Sequence, residues 1–192
     1  MKIKKIAILA FSSLLLFAGC GEKDAIDENA IAEKKQDSTP TFQFKTVEGK
    51  DITIEVKKDG WVFKGLENKV VLLNFFGTWC PPCIAEIPHL INIRSKLEKD
   101  FEMLAVDIGP RGGGNNSQKH LYSFIKQHGI TFPIISGDKA KQLFGAVSEL
   151  NPSGSIPFMI LFNKQGQYVQ YYIGMKPEEM LFNDISSTIK MK

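Results

Sequence analysis

The chain has 192 residues, 43% of them hydrophobic, which suits one medium-sized globular domain with short additions. Its formal net charge of +3 comes from Lys2, Lys4 and Lys5, because the basic and acidic residues that follow them are equal in number. This balance argues against nucleic acid as the main partner.

The first residues have the pattern of an export signal. After the three lysines comes IAILAFSSLLLFAG, an apolar run shorter than the about 20 residues of a comfortable membrane span. The run ends in LFAGC, which resembles the lipobox of bacterial lipoproteins. The resemblance implies a signal peptide at 1–19 and an acylated Cys20 that holds the exported protein to a membrane, facing the periplasm or the cell exterior. Phe17 departs from the family's usual Leu, so plain secretion or an uncleaved anchor stays open.

The stretch after Cys20 has the composition of a tether. GEKDAIDENAIAEKKQDSTP carries many charges and few large apolar side chains, so it cannot bury enough surface to offset the entropy lost on ordering. We therefore divide the exported part into an acylated Cys20 with a flexible tether at 20–40 and a folded domain at 41–192.

The folded part begins with short β-rich runs. TFQFKTV at 41–47 and DITIEV at 51–56 flank a turn and predict a hairpin. VVLLNFF at 70–76 is almost entirely apolar, which is typical of a strand covered on both faces, and it is the predicted central strand. Apolar residues at helical spacing then predict a helix that runs to about residue 99, and FEMLAVDI at 101–108 predicts a second buried strand.

The second half continues this alternation. We predict a helix at 117–129 that ends at Gly129, a short extended piece at 131–136 and a short helix at 139–147. PFMILFNKQGQYVQYYIG predicts a hairpin, and residues 176–192 predict a closing helix. The β-α-β-α series indicates a parallel or mixed sheet. The loop GPRGGGNNS at 109–117 lacks the ending of a P-loop and the spacing of a dinucleotide fingerprint, so we predict a flexible connection there.

Apart from Cys20, the chain has two cysteines, Cys80 and Cys83, in FFGTWCPPCIAEIPHL. A structural zinc ion would need two further ligands, and the sequence has no second paired motif. A purely structural disulfide would close a very short loop, where cross-links stabilise least. A Cu(I) site stays open, because two thiolates suit a soft metal ion.

A redox centre explains more of these residues. If the strand runs through Gly77 into a helix that begins at the cysteines, Cys80 lies at the helix N-terminus, where free amides favour a thiolate. Pro81 and Pro82 suit the first helical positions. Cys83 lies almost one turn further on the same face. We expect an exposed Cys80 to attack a partner and an inward Cys83 to resolve the mixed disulfide.

WCPPC after VVLLNFFGT resembles the thioredoxin fold, and specifically the membrane-anchored TlpA/ResA-like thiol-disulfide oxidoreductases that work outside the cytoplasm. The resemblance covers residues 41–190. It implies an α/β, thioredoxin-like fold: a central mixed sheet flanked by helices, an N-terminal β-hairpin, and an insertion between the central βαβ unit and the C-terminal hairpin. Pro88 falls where that family kinks its active-site helix.

The resemblance also implies roles for polar and proline residues. SIPF places Pro157 where the family has a cis-proline facing the disulfide, with Ile156 before it. Asn74 stands where thioredoxin itself buries an aspartate, and Glu86, three residues after Cys83, matches the family's active-site glutamate. A solvent-facing Glu86 on an amphipathic helix stays open.

The residues that flank the disulfide are the expected contacts for a partner protein. They are Trp79, Pro81, Pro82 and Ile156. Phe158 and Ile156 depart from the residues common in the family, and we expect both to make the rim beside the disulfide more apolar.

The resemblance implies an enzyme that reduces protein disulfides and needs no cofactor and no metal. A membrane thiol-transfer protein would supply electrons, and cysteines destined for haem attachment, as in apocytochrome c, or for copper binding would be the substrates. Reduction potentials of comparable folds span about 150 mV, so a disulfide oxidase or isomerase stays open. A non-enzymatic Cu(I) carrier that uses the same cysteines is the third hypothesis.

Overall fold

The computed structural model describes residues 40–191. The predicted signal peptide, Cys20 and the tether before Pro40 lie outside this range. Within it, no helix combines the length and the apolar composition needed to cross a membrane.

The main sheet has five strands in the order β6-β5-β4-β7-β8. β4 pairs in parallel with β5, and β5 with β6, whereas β4–β7 and β7–β8 are antiparallel. Every residue of β4, β5 and β7 is buried, as expected for apolar strands covered on both faces. The mixed sheet with a central strand at 70–76 is therefore confirmed. Its strands are β4 (Val70–Phe76), β5 (Phe101–Asp107), β6 (Ile134–Ile135), β7 (Phe158–Phe162) and β8 (Tyr168–Ile173).

A separate antiparallel sheet precedes it. β1 (Thr41–Lys45) pairs with β2 (Asp51–Glu55), which confirms the predicted hairpin. A third strand, β3 (Val62–Lys64), pairs with β2 and was not predicted. β3 has three residues between two glycines with positive φ, Gly60 and Gly65, so it shows no alternating pattern of useful length.

Four helices cover the sheets: α1 (Pro81–Leu97), α2 (Gln118–His128), α3 (Asp138–Ala146) and α4 (Glu178–Ile189). A 3₁₀ turn, Ser148–Leu150, follows α3. The predicted insertion consists of α2, β6 and α3, between β5 and the hairpin of β7 and β8. α2 has ordinary end signals, since the side chain of Ser117 accepts a hydrogen bond from the His120 amide and Gly129 adopts a left-handed conformation.

The main sheet separates two apolar cores. One contains Leu72 and Phe76 of β4 together with the buried faces of α1, α2 and α4. The other contains Leu73 and Phe75 together with the N-terminal sheet and α3. Alternate side chains of one strand thus enter opposite cores, as the pleat of a strand requires. The two cysteines belong to the first core.

Candidate active site

The cysteine pair lies where β4 leads into α1. Cys80 is the N-cap of α1 with extended backbone angles, and prolines occupy the first two helical positions. The amide of Cys83 donates a hydrogen bond to Cys80 Sγ at 3.3 Å. The two residues form a disulfide, with their Cα atoms 5.3 Å apart. The predicted helix N-terminus and the predicted reach between the two sulfurs are confirmed.

Both cysteines are buried in this disulfide form: Cys80 is 3% exposed and Cys83 1%. The expectation of an exposed Cys80 is therefore wrong for the oxidised state. The half-buried side chains of Trp79 and Ile156 pack on the same core, and Cys80 Sγ lies 3.9 Å from the Ile156 carbonyl oxygen. Trp79 and Ile156 therefore lie at the edge of the core that holds the disulfide, and we call them its rim.

The predicted proline residues take their expected places. The Ile156–Pro157 peptide bond is cis, as the resemblance implied. Pro157 is buried, and its carbonyl accepts a hydrogen bond from the Gly174 amide at 2.8 Å, which ties this segment to the end of β8. Pro81 and Pro82 are exposed beside the disulfide.

Phe158 does not contribute to the rim. Its side chain is fully buried in the core on the other side of the sheet, stacked on Phe75 with the ring centroids 5.6 Å apart. The expectation that Phe158 makes the rim more apolar is wrong, because strand alternation turns its side chain away from the disulfide. Ile156 is half-buried and stays at the rim.

Glu86 and Asn74 form a buried polar pair. Glu86 lies on the buried face of α1, 1% exposed, and Asn74 Nδ2 donates to Glu86 Oε1 at 3.1 Å. The solvent-facing alternative for Glu86 is therefore wrong. Burial raises the pKa of the Glu86 carboxyl to about 7, although the hydrogen bond from Asn74 lowers it. A carboxyl that can gain or lose a proton near neutral pH thus lies one helical turn from Cys83.

A second buried carboxyl was not predicted. Asp107 ends β5, and both of its oxygens accept from Asn116 Nδ2 at 3.0 Å, while Oδ1 also accepts from the Gly109 amide at 3.2 Å. Burial raises the pKa of Asp107, and these hydrogen bonds and the His120 charge act in the opposite direction. An aspartate that closes an apolar strand was the available signal, since buried charged groups need partners.

The loop between β5 and α2 is tied to the residues before Cys80. Trp79 Nε1 donates to the Gly109 carbonyl at 2.9 Å, and Asn116 Nδ2 also lies 3.4 Å from Thr78 Oγ1. The Arg111 guanidinium lies 4.7 Å from the centre of the Trp79 ring. The prediction of a flexible connection is therefore wrong at both ends of this loop.

The arrangement suits thiol-disulfide exchange. The sulfurs can store two electrons as thiols and release them by closing the disulfide, the N-terminus of α1 favours a thiolate on Cys80, and Glu86 can exchange a proton close to Cys83. Within residues 40–191, no three His, Cys, Asp or Glu side chains form a group suited to a metal ion.

Comparisons with known proteins agree with this chemistry. The family model described as Redoxin matches residues 34–189. The thiol-disulfide oxidoreductase ResA of Bacillus cereus (strain ZK / E33L) is 30% identical, with 90% of this chain and 92% of the relative covered. ResA of Bacillus subtilis (strain 168) is also 30% identical, with 91% and 81% covered.

Solved structures show the same fold. StoA from Bacillus subtilis superposes with a TM-score of 0.55 and 24% identity, covering 76% of this chain and 96% of that one. A thiol:disulfide interchange protein of the thioredoxin family from Chlorobium tepidum TLS gives a TM-score of 0.60 with 22% identity, covering 79% and 94%. The thioredoxin-like fold is thus confirmed.

Proposed function

This chain belongs to the Redoxin family, as a ResA-like thiol-disulfide oxidoreductase, and from that premise we propose that it reduces protein disulfides outside the cytoplasm. The observation that carries the proposal is the placement of the Cys80–Cys83 disulfide at the N-terminus of α1, with Glu86 buried on the same helix.

The proposed reaction is two exchanges in sequence. The Cys80 thiolate attacks a partner disulfide, so that the partner's S–S bond breaks, a mixed disulfide forms and one partner sulfur leaves as a thiolate. Cys83 then loses its proton and attacks Cys80 Sγ, which releases the second partner sulfur. The partner gains two electrons, and its two thiolates take up the proton that Cys83 loses and one proton from water, while the protein ends as the disulfide seen in the structure. The dithiol of Cys80 and Cys83 carries both electrons, so the proposed exchange uses no cofactor.

Glu86 is the proposed proton acceptor for the second step. Cys83 is buried in the first core, where a thiol keeps its proton unless a nearby group removes it. A carboxyl with a pKa raised to about 7 can accept that proton and release it again close to neutral pH.

The surroundings of Cys80 and Glu86 also support reduction as the direction of the reaction. Strong oxidants of this chemistry owe their potential to a stabilised thiolate in the reduced form. Here the amides of α1 favour the Cys80 thiolate, but Glu86, when ionised, opposes a second negative charge nearby. Asn74 is the only side chain in residues 40–191 that bonds to Glu86, so no cation neutralises that charge.

The cellular setting of the proposal rests on the sequence. A signal peptide at 1–19 and an acylated Cys20 would hold the domain at a membrane, on the periplasmic or outer side. A membrane thiol-transfer protein would return the disulfide to the dithiol. The cysteines of apocytochrome c or of copper-site proteins are the proposed substrates.

The reduction potential of the Cys80–Cys83 pair tests the direction. We expect a value near or below that of thioredoxin, about −270 mV, measured by equilibrating the purified protein in dithiothreitol or glutathione buffers. A potential near −120 mV would contradict the reductase and identify an oxidase. Thioredoxin, measured in the same buffers, serves as the reference.

A further inference from the structure

Two basic side chains contact the residues immediately before Cys80. The Arg111 guanidinium lies over the Trp79 ring at 4.7 Å, and His120 Nε2 is 3.0 Å from Thr78 Oγ1. Arg111 and His120 are both exposed. We call this pair the basic rim. It lies beside Trp79, one of the two residues at the rim of the disulfide.

The fold fixes the loop that carries Arg111. Gly109 has a φ of +86°, and a Cβ there would lie 2.5 Å from the Gly114 carbonyl oxygen, so only glycine fits where the loop folds back on itself. Asp107 bonds to Gly109 at one end of the loop and to Asn116 at the other. Hydrogen bonds to this buried carboxyl group thus hold the two ends of the loop that carries Arg111.

The buried Asp107 interacts electrostatically with His120, so the charge of the basic rim that is available to a partner is chiefly that of Arg111. The segments that surround the disulfide, 77–92, 108–137 and 151–160, contain a single acidic residue, the buried Glu86. Arg111 forms no ion pair within residues 40–191. The exposed carboxylate of Asp138 bonds to Asn115 of the loop, but it is paired with Lys141 at 2.8 Å.

The guanidinium of Arg111 is suited to bind a carboxylate. Its central carbon lies 4.7 Å from the centre of the Trp79 ring and the side chain is exposed, and a guanidinium can form two parallel hydrogen bonds with one carboxylate. A cation–π contact with Trp79 favours this position of the side chain, which would reduce the entropy lost on binding. Opposite charges also speed the encounter of two proteins.

We propose that the basic rim selects partner proteins in which acidic residues flank the cysteine that Cys80 attacks. The inference rests on the proposed function and adds a charge requirement to it: the target cysteine lies in an acidic segment of the partner. A target with basic residues beside its cysteine would meet Arg111 with the same charge and react more slowly.

Two synthetic peptides test the inference. Each contains one internal disulfide, and they differ only in the residues beside the first cysteine, which are Glu in one and Lys in the other. The rate constant for their reduction by the reduced full-length protein is measured at low and at high ionic strength. We expect the Glu peptide to react about three- to tenfold faster at low ionic strength, and added salt to narrow the gap.

Two charge-reversal variants separate a local effect from a change in net charge. Arg111→Glu should invert the preference, whereas Lys58→Glu, an exposed lysine in the turn between β2 and β3, should leave it unchanged. The ratio of the two rate constants within one variant cancels any change in the reactivity of Cys80 itself. Equal rates for both peptides in the wild type, or equal effects of the two variants, would overturn the inference.

The outcome is separable from that of the proposed function. If a protein with a potential near −270 mV reduced both peptides at equal rates, the selective role of the basic rim would be contradicted and the proposed reductase function would stand. A protein that reduces neither peptide nor the uncharged 2-hydroxyethyl disulfide would contradict both.

Discussion

Glu86 is buried, and no basic side chain in residues 40–191 pairs with it. Its carboxylate is removed from water, and the neutral amide of Asn74 gives it one hydrogen bond. Desolvation therefore dominates and raises the pKa to about 7. In the reduced protein we expect the charge of an ionised Glu86 to oppose a thiolate nearby.

Glu86→Gln should change the reactivity of Cys80 with pH. Gln keeps the shape of the side chain but removes the charge that opposes a thiolate, so the pH profile of iodoacetamide labelling of reduced Cys80 should move to lower pH. Exchange with disulfide substrates should slow if the carboxyl also carries the proton of Cys83. Superimposable labelling curves for wild type and variant would remove Glu86 from the site.

The same substitution should alter the stability of the oxidised protein. The folded-state pKa of Glu86 lies above the ordinary value of 4.5, so the stabilising contribution is complete below about pH 4.5 and disappears as the pH rises through 7. Between these limits the free energy of unfolding of the wild type should fall by up to about 3 kcal/mol more than that of Glu86→Gln. Urea unfolding at pH 4 and pH 8 measures this difference, and parallel changes would contradict the raised pKa. Asp107 is present in both proteins, so its own titration cancels.

At the scale of elements, the long buried strands were predictable and the contacts of the loops were not. β4 and β5 are seven-residue runs of mostly apolar residues, a composition typical of strands buried on both faces. β3 is too short for a pattern to register. The side-chain direction of Phe158 depends on the register of β7 with β4, which one strand's sequence does not contain.

The residues of the candidate site also fall into those that the sequence identified and those that it did not. The cysteines, the prolines and Glu86 lie in two short motifs, so spacing and resemblance identified them. Arg111 and Asp107 come close to the disulfide only because β5 pairs with β4, which brings the following loop beside Trp79. Long-range pairing of this kind leaves no local pattern in the chain.

Cys80 and Cys83 occupy different positions at the start of α1, so we expect their alanine variants to behave differently. In Cys83→Ala, Cys80 keeps its N-cap position and can attack, but nothing resolves the mixed disulfide, so disulfide-linked complexes with partner proteins should accumulate in cells. In Cys80→Ala, the remaining sulfur lies inside α1 and not at its N-cap, so it should trap little. Non-reducing gels after acid quenching compare the two.

The same two cysteine variants also test the hypothesis of a Cu(I) carrier. If neither variant forms complexes while the wild type binds one Cu(I) tightly, the carrier hypothesis replaces the oxidoreductase mechanism.

At the scale of the whole molecule, net charge conceals a local asymmetry. The chain after its first lysines is balanced in charge, yet the loop and helix at 108–128 contain basic residues and no acidic ones. Balanced overall charge argues against a general affinity for polyanions, while a local basic rim can still select one kind of protein partner. The two statements are compatible, because salt screens charges that are more than about 10 Å apart. A partner at the basic rim therefore responds to the local charges and not to the net charge of the chain.

The last prediction separates the anchor from the catalytic domain. Cys20→Ala should release the protein from membranes, because the proposed acyl chains supply the attachment and an unacylated chain has none. The reduction potential of the purified domain should not change, since about 20 residues of tether composition separate Cys20 from the first strand. Membrane fractionation and the dithiothreitol equilibration already described measure the two properties, with Cys83→Ala as a variant that keeps the anchor and loses the redox couple. A Cys20→Ala protein that stays in the membrane fraction would instead indicate an uncleaved apolar segment between Ile6 and Phe17, and a changed potential would mean that the anchor region contacts the active site.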